Sequence, residues 1–309
     1  MDARDKILLD RRHALECMVW AGAGLVWTVS GGVPTSALIS EAKAAETGFT
    51  FMQISDSHIG FSKPANPDAS ATLNLAIDKV IAAPVRPAFL IHTGDVSHLA
   101  TAQQFDDAQQ IIGRAKLDVH YAPGEHDILD AKSRDAYLAR FGAGAGGNGW
   151  YAFDQGGVHF ISLVNVVDLG KNGLGHLGAE QLAWLAADLK GKTASTPIVV
   201  FAHMPLWAIA PEWGWGTEDS AEALKLLAGF GSVTVLNGHI HQLMQKVEGA
   251  VTFHTARSTA FPQPVPGTAP AAGPMLVPAG DLQKYLGVAA VTYKHADTPL
   301  AIIDSALAG

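Results

Sequence analysis

The 309 residues contain one cysteine, Cys17. It lies near the N-terminus, so the rest of the chain has no thiolate to offer a metal and no disulfide to staple a loop. Positive charge is scarce too: 21 Lys and Arg stand against 29 Asp and Glu, a net charge of -8. Proteins that bind nucleic acid or anionic membranes draw much of their affinity from basic surface, so neither class of partner is expected. No apolar run reaches the roughly 20 residues needed to cross a bilayer, so no integral membrane span is expected. No repeat of 20 to 50 residues recurs either, which excludes solenoids and propellers.

What is present begins with a distinctive first segment. Arg11-Arg12 precedes a mostly apolar stretch at 17–29, then Ser30-Gly31-Gly32-Val33-Pro34 and a small-residue site at Ala42-Lys43-Ala44. Residues 1–44 therefore read as an export signal. The arginine pair resembles a twin-arginine signal, which implies a periplasmic or secreted protein exported already folded. Asp10 before the pair, and Ala14 and Glu16 where an aromatic and a basic residue are common, depart from that pattern. The segment's basic and acidic residues balance, so its removal leaves the whole negative excess on the remainder. An uncleaved amphipathic N-terminus is the alternative.

Residues 45–309 read as one α/β domain, because strand-length and helix-length apolar patterns alternate along it. Strands are expected at 49–54, 88–92, 117–122, 158–164, 198–201, 233–236, 246–255 and 288–293. Helices are expected at 70–83, 102–115, 133–141, 179–189 and 220–230. Three stretches interrupt this rhythm. Residues 142–149 are glycine-dense and read as a turn. Residues 205–217 carry Trp207, Trp213 and Trp215 and would form either a roof over a site or a satellite hydrophobic cluster. Residues 261–278, rich in Pro, Gly and Ala, read as an extended surface excursion, with a lid or a protein-docking strip as its functional forms.

Chemistry gathers where strands end. Asp56-Ser57-His58, Gly94-Asp95, Gly124-Glu125-His126-Asp127, Ala202-His203 and Gly238-His239-Ile240-His241 each follow an apolar run. Five strand ends thus supply carboxylates and imidazoles that a hydrophobic core does not require. Alternate residues of an extended strand point the same way, so Asp56 with His58, and His239 with His241, would each aim two ligands at one point. Oxygen and imidazole donors without thiolate suit manganese, iron or zinc.

In this order of motifs, over about 49–254, the chain resembles the calcineurin-like metallophosphoesterases, which include purple acid phosphatases and class III cyclic-nucleotide phosphodiesterases. The resemblance implies a four-layer αββα sandwich of two mixed sheets flanked by helices. It also implies two divalent or mixed-valence metal ions, one held by Asp56, His58, Asp95 and His241. Asp95, the residue at 125, His203 and His239 would hold the second. A small phosphate mono- or diester would then be hydrolysed by metal-activated hydroxide, with His126 as general acid and Asp127 orienting it.

One position departs from the pattern. The family usually has Asn where this chain has Glu125. A glutamate there raises the carboxylates around the metals from two to three, which favours a more highly charged ion or repels a phosphate dianion. Should Glu125 displace the second metal, a mononuclear hydrolase results. Should it retire the chemistry, the chain becomes an exported metal-binding accessory protein. Among other polar residues, His98 is either a substrate contact or a hydrogen-bonded loop histidine, and His92 a core histidine. His254 and Arg257 are candidate phosphate contacts, and Asn237 a turn residue.

Overall fold

A strand buried on both faces must serve two different cores with its odd and even residues, and it then reads as a continuous apolar run. The computed structural model, which describes residues 26–30, 33–37, 48–278, 280–294 and 300–308, shows this division directly. Strand β3 (Gly48–Ile54) sends Met52 and Ile54 to one core and Phe51 to another. Strand β8 (Ile198–Phe201) sends Ile198 and Val200 one way and Val199 and Phe201 the other. Each fully buried side chain of this size contributes about 1.5–3 kcal/mol.

Two mixed sheets result. The first has the order β13 (Ala301–Ala306), β12 (Gly287–Lys294), β3, β4 (Leu90–His92), β5 (Val119–Tyr121). Strands β3, β4 and β5 run parallel, and β12 closes onto β3 antiparallel. The second runs β10 (Met244–Glu248), β11 (Val251–Thr255), β9 (Val233–Asn237), β8, β7 (Val158–Ser162), β6 (Tyr151–Gln155), with antiparallel strands at its two edges. Phe51, Phe89, Ile91, Phe160, Val199, Phe201 and Val291 fill the space between the sheets. Helices α1 (Ala69–Ile81), α2 (Ala102–Gly113) and α3 (Ala131–Phe141) cover the outer face of the first sheet, sharing a core of Leu73, Ile77, Phe105, Ile112 and Tyr137. Helices α4 (Gly178–Asp188) and α5 (Ser220–Leu227) cover the second through Leu185 and Leu227. The expected αββα layering is therefore present.

Each helix of the first layer starts at a polar cap. The Asp68 side chain accepts from Ala71 N, Thr101 from Gln104 N, and Asp130 forms a reciprocal capping box with Ser133. A short helix α6 (Leu282–Tyr285) leads into β12. No helix among the described residues is long and apolar enough to cross a membrane.

Two expectations change, and a third falls largely outside the described residues. The run 246–255 is a hairpin of two strands, because Gly249 takes a left-handed φ of 59° and turns the chain. Strands β6 and β13, at sheet edges and mixed in polarity, carry too little alternation to read as strands from sequence. Most of the export-signal segment lies outside the described residues. Its described part is an antiparallel pair, β1 (Val26–Ser30) and β2 (Val33–Ala37).

Candidate metal centre

All five motifs lie just past the C-terminal ends of parallel strands: β3, β4 and β5 in one sheet, β8 and β9 in the other. Open parallel sheets collect ligands at that edge, and here two such edges face each other. Two glycines are demanded by close approach. A Cβ on Gly124 would strike the Asp95 carboxylate and backbone nitrogen, and one on Gly238 would strike Ser55 Oγ and Asp56 Oδ2.

The convergence of side chains has a different backbone cause from the one expected. Strands β3 and β9 stop at Ile54 and Asn237, before the paired ligands. Asp56 (φ 53°), His58 (42°), Asp95 (54°), His239 (70°) and His241 (54°) are all left-handed. Left-handed residues alternating with ordinary ones, rather than an extended strand, turn each pair inward. Such conformations cost about 1–3 kcal/mol each and persist where the surroundings enforce them. The first two loops run side by side to do so, with Asp56 N donating to Gly94 O and His58 N to Asp95 O, both at 2.9 Å.

Two donor clusters meet here. In the first, His241 Nε2 is 3.3 Å from Asp56 Oδ1 and from His58 Nε2, and His58 Nε2 is 3.4 Å from Asp95 Oδ2. In the second, His203 Nε2 is 3.4 Å from Asp95 Oδ2 and 2.9 Å from Glu125 Oε2, and His239 Nδ1 is 3.1 Å from Glu125 Oε1. Ligands about 2.0–2.2 Å from a shared ion stand about 3.0–3.5 Å apart, so these spacings suit metal coordination. Hydrogen bonding does not account for all of them. Glu125 Oε2, His203 Nε2 and His239 Nε2 are buried and without a hydrogen-bond partner among the described residues, although Glu125 Oε2 and His203 Nε2 stand 2.9 Å apart. The residues present therefore fit a metal centre, and Glu125 stands at the second cluster with both its oxygens.

Backbone carbonyls fix the rings. His203 Nδ1–H donates to Thr93 O at 2.7 Å and His241 Nδ1–H to Phe261 O at 2.5 Å, leaving each Nε2 for the centre. Burial holds His58 down at about 3, so it is a neutral donor. Burial would raise Asp56, but His241, His203 and His58 outweigh it and keep the carboxylate ionised. Burial likewise opposes charge on Glu125 and His203. Glu125 nevertheless lies well below its ordinary value beside His239 and His203, and His203 well above its own beside Asp95 and Glu125.

His126 and Asp127 separate in role. The His126 Nδ1–H donates to His98 O at 2.8 Å, and its backbone N–H to Asp95 Oδ1 at 2.9 Å. Asp127 does not orient this ring, as the sequence reading expected. Its fully buried carboxylate accepts from Val96 N, Ser97 N, Ser97 Oγ and Gly124 N at 2.8–3.0 Å, tying the second and third loops together. Burial and the nearby Asp95 charge push Asp127 up to about 6, against the pull of those donors.

The remaining polar candidates sort cleanly. The imidazole of His98 stacks on His126 at 4.9 Å and lines the cleft, so it faces the site. His92 is a satisfied core residue between Ser57 Oγ and Gly94 N. His254 pairs with Asp304 at 2.9 Å and Arg257 donates to Lys284 O, and neither lines the cleft. Asn237 donates to Gly238 O, as a turn residue does.

A cleft of ≈ 380 Å³ opens over the centre. Sequence reasoning missed several of its walls: Phe61 and Lys63, beyond the first motif, and Gln263 with Ala272–Pro274, within the stretch read as a surface excursion. Gln263 Nε2 donates to His239 O at 2.9 Å, so the inner edge of that excursion supports a ligand loop. Its composition gave no hint of this; only the return of the chain past β11 does.

With the geometry in view, comparisons place the chain among known proteins. Residues 49–243 match the calcineurin-like phosphoesterase family. Purple acid phosphatase 15 of Arabidopsis thaliana is 30% identical over 138 residues, 41% of this chain and 25% of that protein. A 3′,5′-cyclic-nucleotide phosphodiesterase of Nostoc is 26% identical over 176 residues, 56% of this chain and 62% of that protein. The chain thus spans less than two thirds of either curated relative. Among solved structures, a dimetal phosphatase from Danio rerio shares the fold with a TM-score of 0.60 and 16% identity, over 84% of this chain and 99% of that one.

Proposed function

The chain belongs to the calcineurin-like phosphoesterase family, and from that premise we propose that it is a two-metal hydrolase of phosphate esters that prefers diesters to monoesters. Asp56, His58, Asp95 and His241 would hold one ion, and Asp95, Glu125, His203 and His239 the other. Bound there, manganese, iron or zinc would supply Lewis acidity and offset phosphate charge. The protein's own part is positioning and proton transfer. His126, its Nδ1–H fixed on His98 O, presents Nε2 as the general acid for the leaving oxygen. Burial opposes charge on this ring, but neighbouring Asp95 and Glu125 outweigh it and raise its proton affinity, the direction a general acid needs. Export in folded form, as residues 1–44 suggest, is part of the same proposal.

The observation that carries the diester preference is Glu125. It adds a third carboxylate to Asp56 and Asp95, and Lys63 is the one Lys or Arg lining the cleft among the described residues. One extra negative charge about 5 Å from the phosphate costs about 1–3 kcal/mol for each added phosphate charge at effective dielectrics between protein and water. A monoester dianion carries one more charge than a diester, so the bias is about 10–100-fold. Steady-state kinetics on p-nitrophenyl phosphate and bis(p-nitrophenyl) phosphate, with metal content measured per chain, tests this. We expect two metals, faster diester turnover in the wild type, and a shift of the ratio toward the monoester by about tenfold or more in Glu125→Gln. A ratio unmoved by Glu125→Gln removes the argument. Full metal loading with no turnover of either ester overturns the hydrolase itself.

A further inference from the structure

Substrate size and shape leave their mark on the cleft wall beside the second donor cluster. Residues 205–217 turn sharply there. A 3₁₀ turn, Pro211–Trp213, is followed by Gly214 with φ of 76°, and Trp215 returns to pair with Ala210. Four hydrogen bonds fasten this turn: Ile209 N and Ala210 N donate to Trp215 O, while Trp213 N and Trp215 N donate to Ala210 O. Trp215 is fully buried and packs against Ile240, the residue between His239 and His241. Trp213 stands on it edge to face, with ring centroids 5.1 Å apart at 83°.

Trp213 itself is only partly buried and borders the cleft, where Ala272 packs against the same cluster. The part of the ring left open to the cleft is apolar surface that a bound group of the same kind would cover favourably. Its support is continuous with the loop that carries two metal-ligand candidates, so whatever covers Trp213 is joined to the phosphate. The surrounding chemistry says what that group is. Gln263 donates to His239 O and accepts from Gly273 N, which fixes its amide against the ligand loop. Ala272 and Pro274 add apolar surface.

We infer that Trp213 and the 272–274 wall form a subsite for an aromatic ester substituent, so that the preferred substrates are phosphodiesters in which one group is a flat ring. This rests on the hydrolase reading above and narrows it. A preorganised indole stacks a ring at little entropic cost, and removing such a platform commonly weakens binding by an order of magnitude or more.

Three diesters that release the same p-nitrophenolate and differ only in the retained group test it: methyl, cyclohexyl and phenyl p-nitrophenyl phosphate. Metal-loaded wild type is expected to favour phenyl over methyl by about tenfold or more in kcat/KM, mostly through KM, with cyclohexyl well below phenyl. Trp213→Ala should bring the phenyl-to-methyl ratio toward one, and Trp213→Phe should keep most of it. The ratio is its own control, since a misfolded variant loses both rates together. A wild type blind to the retained group, an equal preference for cyclohexyl, or a ratio untouched by Trp213→Ala overturns the subsite while leaving the hydrolase standing. No turnover of any diester overturns the hydrolase and the subsite with it.

Discussion

At the scale of the residue, His126 shows how one hydrogen bond allots work between two nitrogens. Its Nδ1 proton is committed to the His98 carbonyl, so only Nε2 can serve a substrate. A general acid matters in proportion to the basicity of the oxygen that leaves. His126→Ala should therefore lower kcat by about 10²–10⁴-fold for phenyl esters and by distinctly less for p-nitrophenyl esters, whose leaving group needs little help. Paired kinetics on the two esters measure this, and equal losses would assign His126 to binding instead. The identities of the clustering residues were legible in the sequence, because seven donors at five strand ends have no structural excuse. Their left-handed backbone was not, since Asp and His are only enriched at positive φ and most copies of either lie elsewhere, so the neighbouring loops decide.

At the scale of the element, the loops matter more than the strands that carry them. Asp127 holds the loop after β4 to the loop after β5 with three accepted hydrogen bonds and braces its own loop with a fourth, and Asp95 and Glu125 ride on those two loops. Asp127→Asn keeps the shape but turns an amide NH₂ toward N–H donors. Such a buried mismatch costs about 1–3 kcal/mol. The variant should melt lower and bind its second metal equivalent more weakly, as calorimetry and metal titration would show; unchanged metal affinity would make Asp127 a folding residue alone. Legibility at this scale followed burial. Runs such as 198–201, apolar on both faces, announced themselves as strands, whereas β6 and β13 at the sheet edges did not. The Pro-rich 261–278 stretch read as surface because its composition lacks periodicity, yet Phe261 and Gln263 hold up His241 and His239 through a carbonyl and an amide.

At the scale of the whole molecule, two sheets are locked together by one aromatic-rich core while their ligand-bearing edges face each other across the site. The stacking of the sheets came from the family resemblance, since apolar periodicity says that a strand is buried but not by what. Five left-handed ligand residues and three clustered carboxylates set strain and repulsion against that core, and metal binding offsets both. An ion present at 100 times its Kd adds about 2.7 kcal/mol to stability. For a domain of this size that is about 5–10 °C in Tm. Chelation should lower the melting temperature by that much and readdition should restore it; a Tm indifferent to chelator would detach the metals from the fold. The strand order carries one more consequence. Every candidate ligand has been made once the ribosome passes His241, but β3, which leads into the loop carrying two of them, gains its second sheet neighbour only when β12 emerges. Until then Phe51 lacks the cover of Ala289 and Val291, so a nascent chain holds all the donors of the centre without the sheet that fixes their aim. Binding competence arrives last in synthesis, with the strand that carries no ligand at all.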